Sequence, residues 1–369
     1  MRIGFDAKRA FQNFTGLGNY SRFIIESLLA SPTQHEYFAY TPKLNSKVQF
    51  DKRLHVELPQ TSMPKPLWRS WGINQQLKKD KLDVFHGLSN ELPWQIQKTG
   101  IKTVVTIHDL IFIRYPELYS TIDRWIYKQK FKSACEKADC VVAISEQTKN
   151  DIVDMLHINP SKIEVVYQDC DVAFKNQLPT EQLSAVSQKY HLDKPYILCV
   201  ATIADRKNQL TLVKAFEELQ NKDVDLVLVG GKSAYQNQIE DYIQQKHLKG
   251  VHIINGVPFA DLPALYQNAT LTVYPSIFEG FGIPIVEALH SGIPVIAATG
   301  SCLEEAGGNG AIYVNPYDVR GMADEIRRVL SNPILQKNLV TQGQVYIKKF
   351  SSIEIAKDLE KIYQKINNE

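Results

Sequence analysis

The chain has 369 residues, room for two domains at about 150 residues each. Hydrophobic residues make up 44% and charged residues 22%, so each half can bury its own core, and a net charge of +2 lacks the basic excess of a nucleic-acid binder. The cysteines Cys135, Cys140, Cys170, Cys199 and Cys302 are odd in number and lack metal-ligand spacing, which points to reduced thiols in a cytoplasmic protein.

Met1–Asp6 reads as a strand opening a domain rather than as a signal peptide, and no apolar run reaches the roughly 18 residues a membrane span needs. Short β-branched runs then predict strands at Ile3–Asp6, Tyr37–Thr41, Asp83–His86, Thr103–Ile107, Val141–Ile144 and Ile163–Tyr167. Helical patterns fall between them at Asn19–Leu29, Asp123–Lys137 and Glu146–Leu156, the last with Ser145 as N-cap. The polar segment 176–194 reads as a linker. Beyond it strands resume at Tyr196–Val200, Leu226–Val229, Val251–Ile254, Leu271–Tyr274, Val295–Ala297 and Ile312–Val314. Helices are predicted at Leu210–Gln220, Tyr235–Lys246, Pro284–Ser291 and Val319–Leu330. The ridge Ile353, Ile355, Leu359, Ile362, Tyr363, Ile366 predicts a final helix from Ser351. Strand–helix alternation implies parallel sheets covered on both faces, with ligands beyond the carboxyl ends of the strands.

Four segments carry chemistry, three of them at such ends. The first, Tyr274 to Ala288, contains Glu279-Gly280-Phe281-Gly282-Ile283-Pro284 and Glu287. Its glycines allow close backbone approach, Pro284 suits a helix start, and the helix N-terminus favours a phosphate or sugar oxygen. Two carboxylates, one in the loop and one about a turn into the helix, suit vicinal hydroxyls. A plain capping loop with surface glutamates would also place them so, but the Gly-Phe-Gly-x-Pro context favours a ligand. The second is Ala201 to Asn208, where Arg206 and Lys207 suit a diphosphate. The third, Thr15-Gly16-Leu17-Gly18-Asn19, lies ahead of the first predicted helix and is a weak motif alone, since it lacks a third glycine in dinucleotide spacing. The fourth is His108-Asp109 after a buried strand; a strand-end histidine is more often structural, and His86 matches nothing as specific. A softer feature is the stretch Lys65–Lys81, with Trp68, Arg69, Trp71, Lys78, Lys79 and Lys81. A core-facing helix with a solvated basic end explains it better than a membrane-surface helix.

Taken with Gly292-Ile293-Pro294-Val295, the segment from Tyr274 to Glu287 resembles the E-x7-E signature of the family 4 retaining glycosyltransferases, in their bacterial mannosyltransferase-like branch. The resemblance spans nearly the whole chain. It implies the GT-B fold: two Rossmann-like α/β domains facing an interdomain cleft, here 1–175 on the acceptor side and 195–350 for the nucleotide sugar, with the helix 351–369 returning to the first. It further implies that Glu279 contacts the donor sugar, Glu287 the ribose, and the backbone of Phe281 and Gly282 the sugar hydroxyls. Lys207 matches the family lysine, and Arg206 stands in for part of the charge of a family arginine replaced here by Thr202. The Gly16–Gly18 backbone would close on the donor phosphate, His108 would lie by the donor sugar, and Asp109 would support the site.

The expected reaction moves a sugar, mannose in this branch, from a GDP- or UDP-sugar to a hydroxyl of a glycan or lipid-linked acceptor with retention. Positioning and charge stabilisation of the departing diphosphate would carry catalysis, and that diphosphate would help deprotonate the acceptor. With Glu287 at the ribose, a glycosidase-style double displacement is not expected. No Asp-x-Asp cluster calls for a metal, no cofactor is expected, and no nucleic acid is a partner. The setting would be cytoplasmic, with room for peripheral contact at the inner membrane face. A sugar-nucleotide epimerase and a non-catalytic nucleotide-sugar sensor are the competing readings. The epimerase would interconvert free nucleotide sugars without an acceptor, and the intact His108, Glu279 and Lys207 speak against the sensor.

Overall fold

The computed structural model describes residues 1–368, so Glu369 of the expected C-terminal helix lies outside the described residues. The chain divides into two compact units, Met1–Asp169 with the stretch from Phe350 onward, and Cys170–Lys349.

The first unit holds a parallel sheet of β1 (Arg2–Asp6), β2 (Glu36–Tyr40), β3 (Leu54–Glu57), β4 (Val84–Gly87), β5 (Lys102–Ile107), β6 (Cys140–Ala143) and β7 (Ile163–Val165). Their order is β3-β2-β1-β4-β5-β6-β7. The central strands are buried almost throughout, as expected for a parallel sheet covered on both faces. Strand β3 has no counterpart in the sequence reading. It lies at the edge, where only Leu54 is buried while His55 and Val56 are exposed, so no apolar run announces it. Ser145 caps the helix Glu146–Leu156 by accepting from the Thr148 amide at 3.0 Å.

The final helix, Ser352–Asn368, packs on this unit through Ile355, Leu359, Ile362, Tyr363 and Ile366; Ile353, expected on the same ridge, is exposed. His86 explains part of the docking. Its Nδ1 lies 2.7 Å from the Tyr363 hydroxyl and its Nε2 lies 2.8 Å from Thr106 Oγ1. Burial pushes the imidazole down to about 3, so it is neutral and structural.

The second unit holds β8 (Tyr196–Val200), β9 (Asp225–Val229), β10 (Val251–Ile254), β11 (Leu271–Tyr274), β12 (Val295–Ala298) and β13 (Ala311–Val314), all parallel, in the order β10-β9-β8-β11-β12-β13. Its core joins these strands to helices Gln209–Leu219 and Val319–Leu330.

Two expectations need correction. The segment 176–194 is not a bare linker: it contains the helix Thr180–Lys189, and the units part between Asp169 and Cys170. Few apolar residues mark that helix. It is held instead by polar contacts, Asn268 Nδ2 to Leu183 O at 2.9 Å and Lys189 Nζ to Asp261 at 2.6 Å. Nor is Lys65–Lys81 one amphipathic helix. A π-type turn, Trp68–Gly72, interrupts it; Trp68 is buried in the core and Arg69 is committed to ion pairs, so only Trp71 of the three is exposed.

In each sheet the strand order reverses once, between β1 and β4 and between β8 and β11. Ligands of doubly wound sheets sit beyond the strand ends at such switch points.

Candidate functional site

At the second unit's switch point, β8 leads into a turn, Asp205–Lys207, and β11 leads into the loop 275–282 before the helix Ile283–His290. Asn208 ties the two together. Buried and left-handed at φ 61°, it donates from Nδ2 to the Pro275 carbonyl at 3.2 Å and to the Pro316 carbonyl at 2.7 Å. The Ile277 amide also donates to the Arg206 carbonyl at 2.9 Å.

This cross-linking aims both cations at one carboxylate. Lys207 Nζ lies 2.5 Å from Glu279 Oε1 and Arg206 Nη1 lies 3.0 Å from the same oxygen. The Tyr274 hydroxyl donates to Glu279 Oε1 at 3.1 Å and receives a hydrogen bond from Lys207 at 3.0 Å; Ser276 Oγ also donates to that oxygen. Arg206 is further fixed by donating to the Phe278 carbonyl. Burial works to raise the Glu279 carboxyl, but the Lys207 and Arg206 charges outweigh it and hold the group below the usual glutamate value. The hydrogen bonds from Lys207, Tyr274 and Ser276 fall on Oε1, which leaves Oε2 the oxygen better placed to meet a ligand.

Two cations and one anion leave the cluster with a local charge of +1, suited to a diphosphate. Thr202, where the family resemblance calls for arginine, is exposed, and its carbonyl accepts from Gln209 Nε2 at 3.0 Å. Adjacent in sequence, Arg206 and Lys207 nevertheless converge, because the turn places both side chains toward β11. Tyr274 and Ser276 lie inside the motif read from the sequence, but spacing alone gave no sign that they hold Glu279.

Gly282 precedes the helix with φ 123°, and a Cβ there would stand 2.9 Å from Leu303 Cδ2, so only glycine fits without strain. One turn in, Glu287 Oε2 accepts from the Tyr266 hydroxyl at 2.9 Å. Burial pushes the Glu287 carboxyl up to about 7, with Asp171 adding to the rise and Tyr266 opposing it. The two glutamates thus differ: Glu279 is ionised and held by cations, whereas Glu287 titrates near neutrality and is poised to accept hydroxyl protons once charged.

In the first unit, Gly16 opens the helix Gly16–Ala30 itself, and a short helix, Lys8–Gln12, precedes it. A Cβ at Gly18 would stand 1.8 Å from the Asn13 carbonyl oxygen, while one at Gly16 meets nothing within 4 Å. The Gly18 amide is taken by Thr15 O at 2.9 Å and Asn13 Oδ1 at 3.2 Å. A phosphate would therefore have to use the amides of Gly16 and Leu17, not that of Gly18.

His108 follows β5. Its Nε2 lies 2.9 Å from the Leu88 carbonyl, its amide donates to Asn90 Oδ1 at 2.8 Å, and Tyr20 packs edge-on at 4.6 Å. Burial pushes it down to about 4. A carbonyl only accepts, so Nε2 carries the proton and Nδ1 is left as an acceptor. His108 is thus a neutral hydrogen-bond acceptor rather than an acid. Asp109 Oδ1 accepts from the amide of Ile111, the first residue of the short helix Ile111–Arg114, at 3.1 Å.

Comparison with known proteins agrees with this architecture. Residues 15–173 match the model of Glycosyltransferase Family 4 and residues 181–345 that of glycosyl transferases group 1. The O-antigen chain mannosyltransferase B of Escherichia coli is 25% identical over 95% of this chain and 96% of its own. The O-antigen chain mannosyltransferase RfbU of Salmonella typhimurium is 29% identical over 62% of this chain and 61% of its own. Among solved structures, the sucrose-phosphate synthase of Thermosynechococcus elongatus superposes with a TM-score of 0.78 at 20% identity, over 99% of both chains.

Proposed function

We propose, for a chain that belongs to the family 4 glycosyltransferases and has their GT-B fold of two Rossmann-like parallel-sheet units, that it transfers mannose with retention from a nucleoside diphosphate sugar to a glycan or lipid-linked acceptor hydroxyl. The observation that carries this reading is the convergence of Lys207 and Arg206 on Glu279 at the β8/β11 switch point, with Glu287 one helical turn beyond. Lys207 and Arg206 neutralise the departing diphosphate, and the dipole of the helix after Gly282 adds to their effect. Glu279 Oε2 accepts from a sugar hydroxyl, the backbone of Phe281 and Gly282 orients the sugar, and Glu287 accepts from the ribose. From the first unit, Gly16 and the helix start contribute to phosphate binding, His108 accepts a sugar hydroxyl at Nδ1, and Asp109 supports its loop; Gly18 shapes the helix start. The mannosyltransferase relatives support the choice of sugar. The chemistry assigned to these residues needs no metal, and the setting is the cytoplasm or the inner membrane face. Exposed Leu67 and Trp71 support weak peripheral contact with that membrane.

The test is a thermal-shift panel of GDP, UDP and their sugars, followed by turnover with and without EDTA. GDP or UDP should raise the melting temperature by mass action, and EDTA should leave turnover unchanged. If neither nucleotide stabilises the protein at millimolar concentration, the donor site is misassigned.

A further inference from the structure

The other switch point has a pocket of its own. A cavity of about 190 Å³ is walled there by Asp6 at the end of β1, Phe85 inside β4, Ile73, and Ala134 of the helix Thr121–Lys137. Drug-sized ligands occupy roughly 300–1,000 Å³, so this one is on the scale of a single sugar ring. Asp6, the last residue of β1, lines it together with Arg69 and Glu91. Arg69 donates from Nε and Nη2 to Asp6 Oδ2 at 2.9 and 2.6 Å, and from Nη1 to Glu91 Oε2 at 2.7 Å. Lys130 Nζ stands 3.7 Å from Glu91, and Ser133 adds a hydroxyl-bearing side chain to the wall.

Trp94 forms another part of the wall. Its side chain is conspicuously open, the residue being 60% exposed, yet its backbone is pinned on both sides. The Trp94 amide donates to Ser70 O at 2.6 Å, and its carbonyl accepts from Asn74 Nδ2 at 2.8 Å. An indole left open on a fixed backbone is a ready platform for the C–H face of a ring. Arg69 spends Nε, Nη1 and Nη2 on Asp6 and Glu91, whereas Glu91 Oε1, 3.7 Å from Lys130, can accept from a hydroxyl and the Lys130 ammonium can donate to ring and hydroxyl oxygens. The same loop joins this pocket to His108: Leu88 O and Asn90 Oδ1 hold the histidine, and Glu91 and Trp94 follow directly.

We infer that this pocket is the subsite for the terminal pyranose of the acceptor glycan, with Trp94 as its stacking platform, Glu91 and Lys130 as its hydroxyl readers, and Arg69 holding Glu91 in place. The assignment rests on the glycosyltransferase reading above. The probes are the methyl pyranosides of mannose, glucose and galactose at millimolar concentration, with binding read by ligand-observed saturation-transfer NMR. At least one should bind the wild type and a Trp125→Ala control, whose exposed indole lies outside the pocket. Trp94→Ala should weaken that binding about tenfold, as expected for loss of an aromatic contact, while its melting temperature and its stabilisation by GDP or UDP stay as in the wild type. Glu91→Gln should weaken the same glycoside as well. Unaltered binding in Trp94→Ala overturns the pocket. So does the absence of any glycoside signal from a wild type that still responds to nucleotide, and the donor site then stands. A protein that answers to neither nucleotide nor glycoside overturns both readings.

Discussion

Replacing Glu279 by glutamine keeps the side chain's size and removes the only anion of the donor cluster. Lys207 and Arg206 approach its Oε1 at 2.5 and 3.0 Å, and the three side chains are only 15%, 20% and 11% exposed. Breaking a buried pair by deleting one partner costs about 3–5 kcal/mol. Here Lys207 keeps the Tyr274 hydroxyl and Arg206 keeps the Phe278 carbonyl, so the loss should lie nearer 2 kcal/mol, or a fall of roughly 4–8 °C in melting temperature. The local charge meanwhile rises from +1 to +2. Free nucleoside diphosphate should therefore bind Glu279→Gln no more weakly than the wild type. Turnover with the full donor should fall about ten- to hundredfold, the worth of one charge-assisted hydrogen bond of roughly 1.5–3 kcal/mol. Lys207→Ala should instead weaken nucleotide binding itself by about the same factor. Because the two side chains touch, their effects should not add, and a double-mutant cycle should show a coupling of roughly 0.5–3 kcal/mol. Calorimetry with nucleotide alone, beside turnover with nucleotide sugar, separates the cases. Equal loss of nucleotide binding in both folded variants would mean that Glu279 serves only to hold Lys207. Unchanged turnover in Glu279→Gln would remove the main support for its sugar contact.

Two further outcomes follow from the same geometry. The folded Glu287 carboxyl, at about 7, lies above its unfolded value near 4.3, so its stabilising effect is complete below that lower value and is lost as pH rises through about 7. Melting curves of the wild type should therefore decline over this window more steeply than those of Glu287→Gln, while nucleotide affinity should tighten with ionisation only in the wild type; parallel curves would refute the assignment. At the helix start, Gly18→Ala drives a Cβ against the Asn13 carbonyl and should cost about 1–3 kcal/mol in denaturant titration, whereas Gly16→Ala, with open space around it, should stay within roughly 0.5 kcal/mol. Equal losses at the two positions would count against the close approach at Gly18.

Much of this protein was legible without coordinates. Parallel strands show as continuous apolar runs, so the buried Tyr196–Val200 and Leu271–Tyr274 and the half-buried edge strand Val251–Ile254 could be read to the residue. The motif around Glu279 and Glu287 was local, a strand end, a glycine loop and a helix start, and local chemistry is what a sequence displays. Elements held by something other than an apolar run were not legible. Strand β3 survives as an edge with one buried residue, and Thr180–Lys189 is a helix fixed by side chains some 70 to 90 positions away. The ordering of charges was also beyond reach. Sequence shows Arg206, Lys207 and Glu279 as separate groups, and only the pairing of β8 with β11 makes one oxygen their common partner. In the same way, neighbouring β1 and β4 bring Asp6, Arg69 and Glu91 to one pocket, although only Arg69 stood in a stretch that the sequence marked, and for a different reason. Composition and periodicity determine which segments form strands and helices, because those depend on neighbours a few residues away. Which charges meet, and which glutamate stays ionised, depend on distances set by sheet order, and these exist only once the chain has folded.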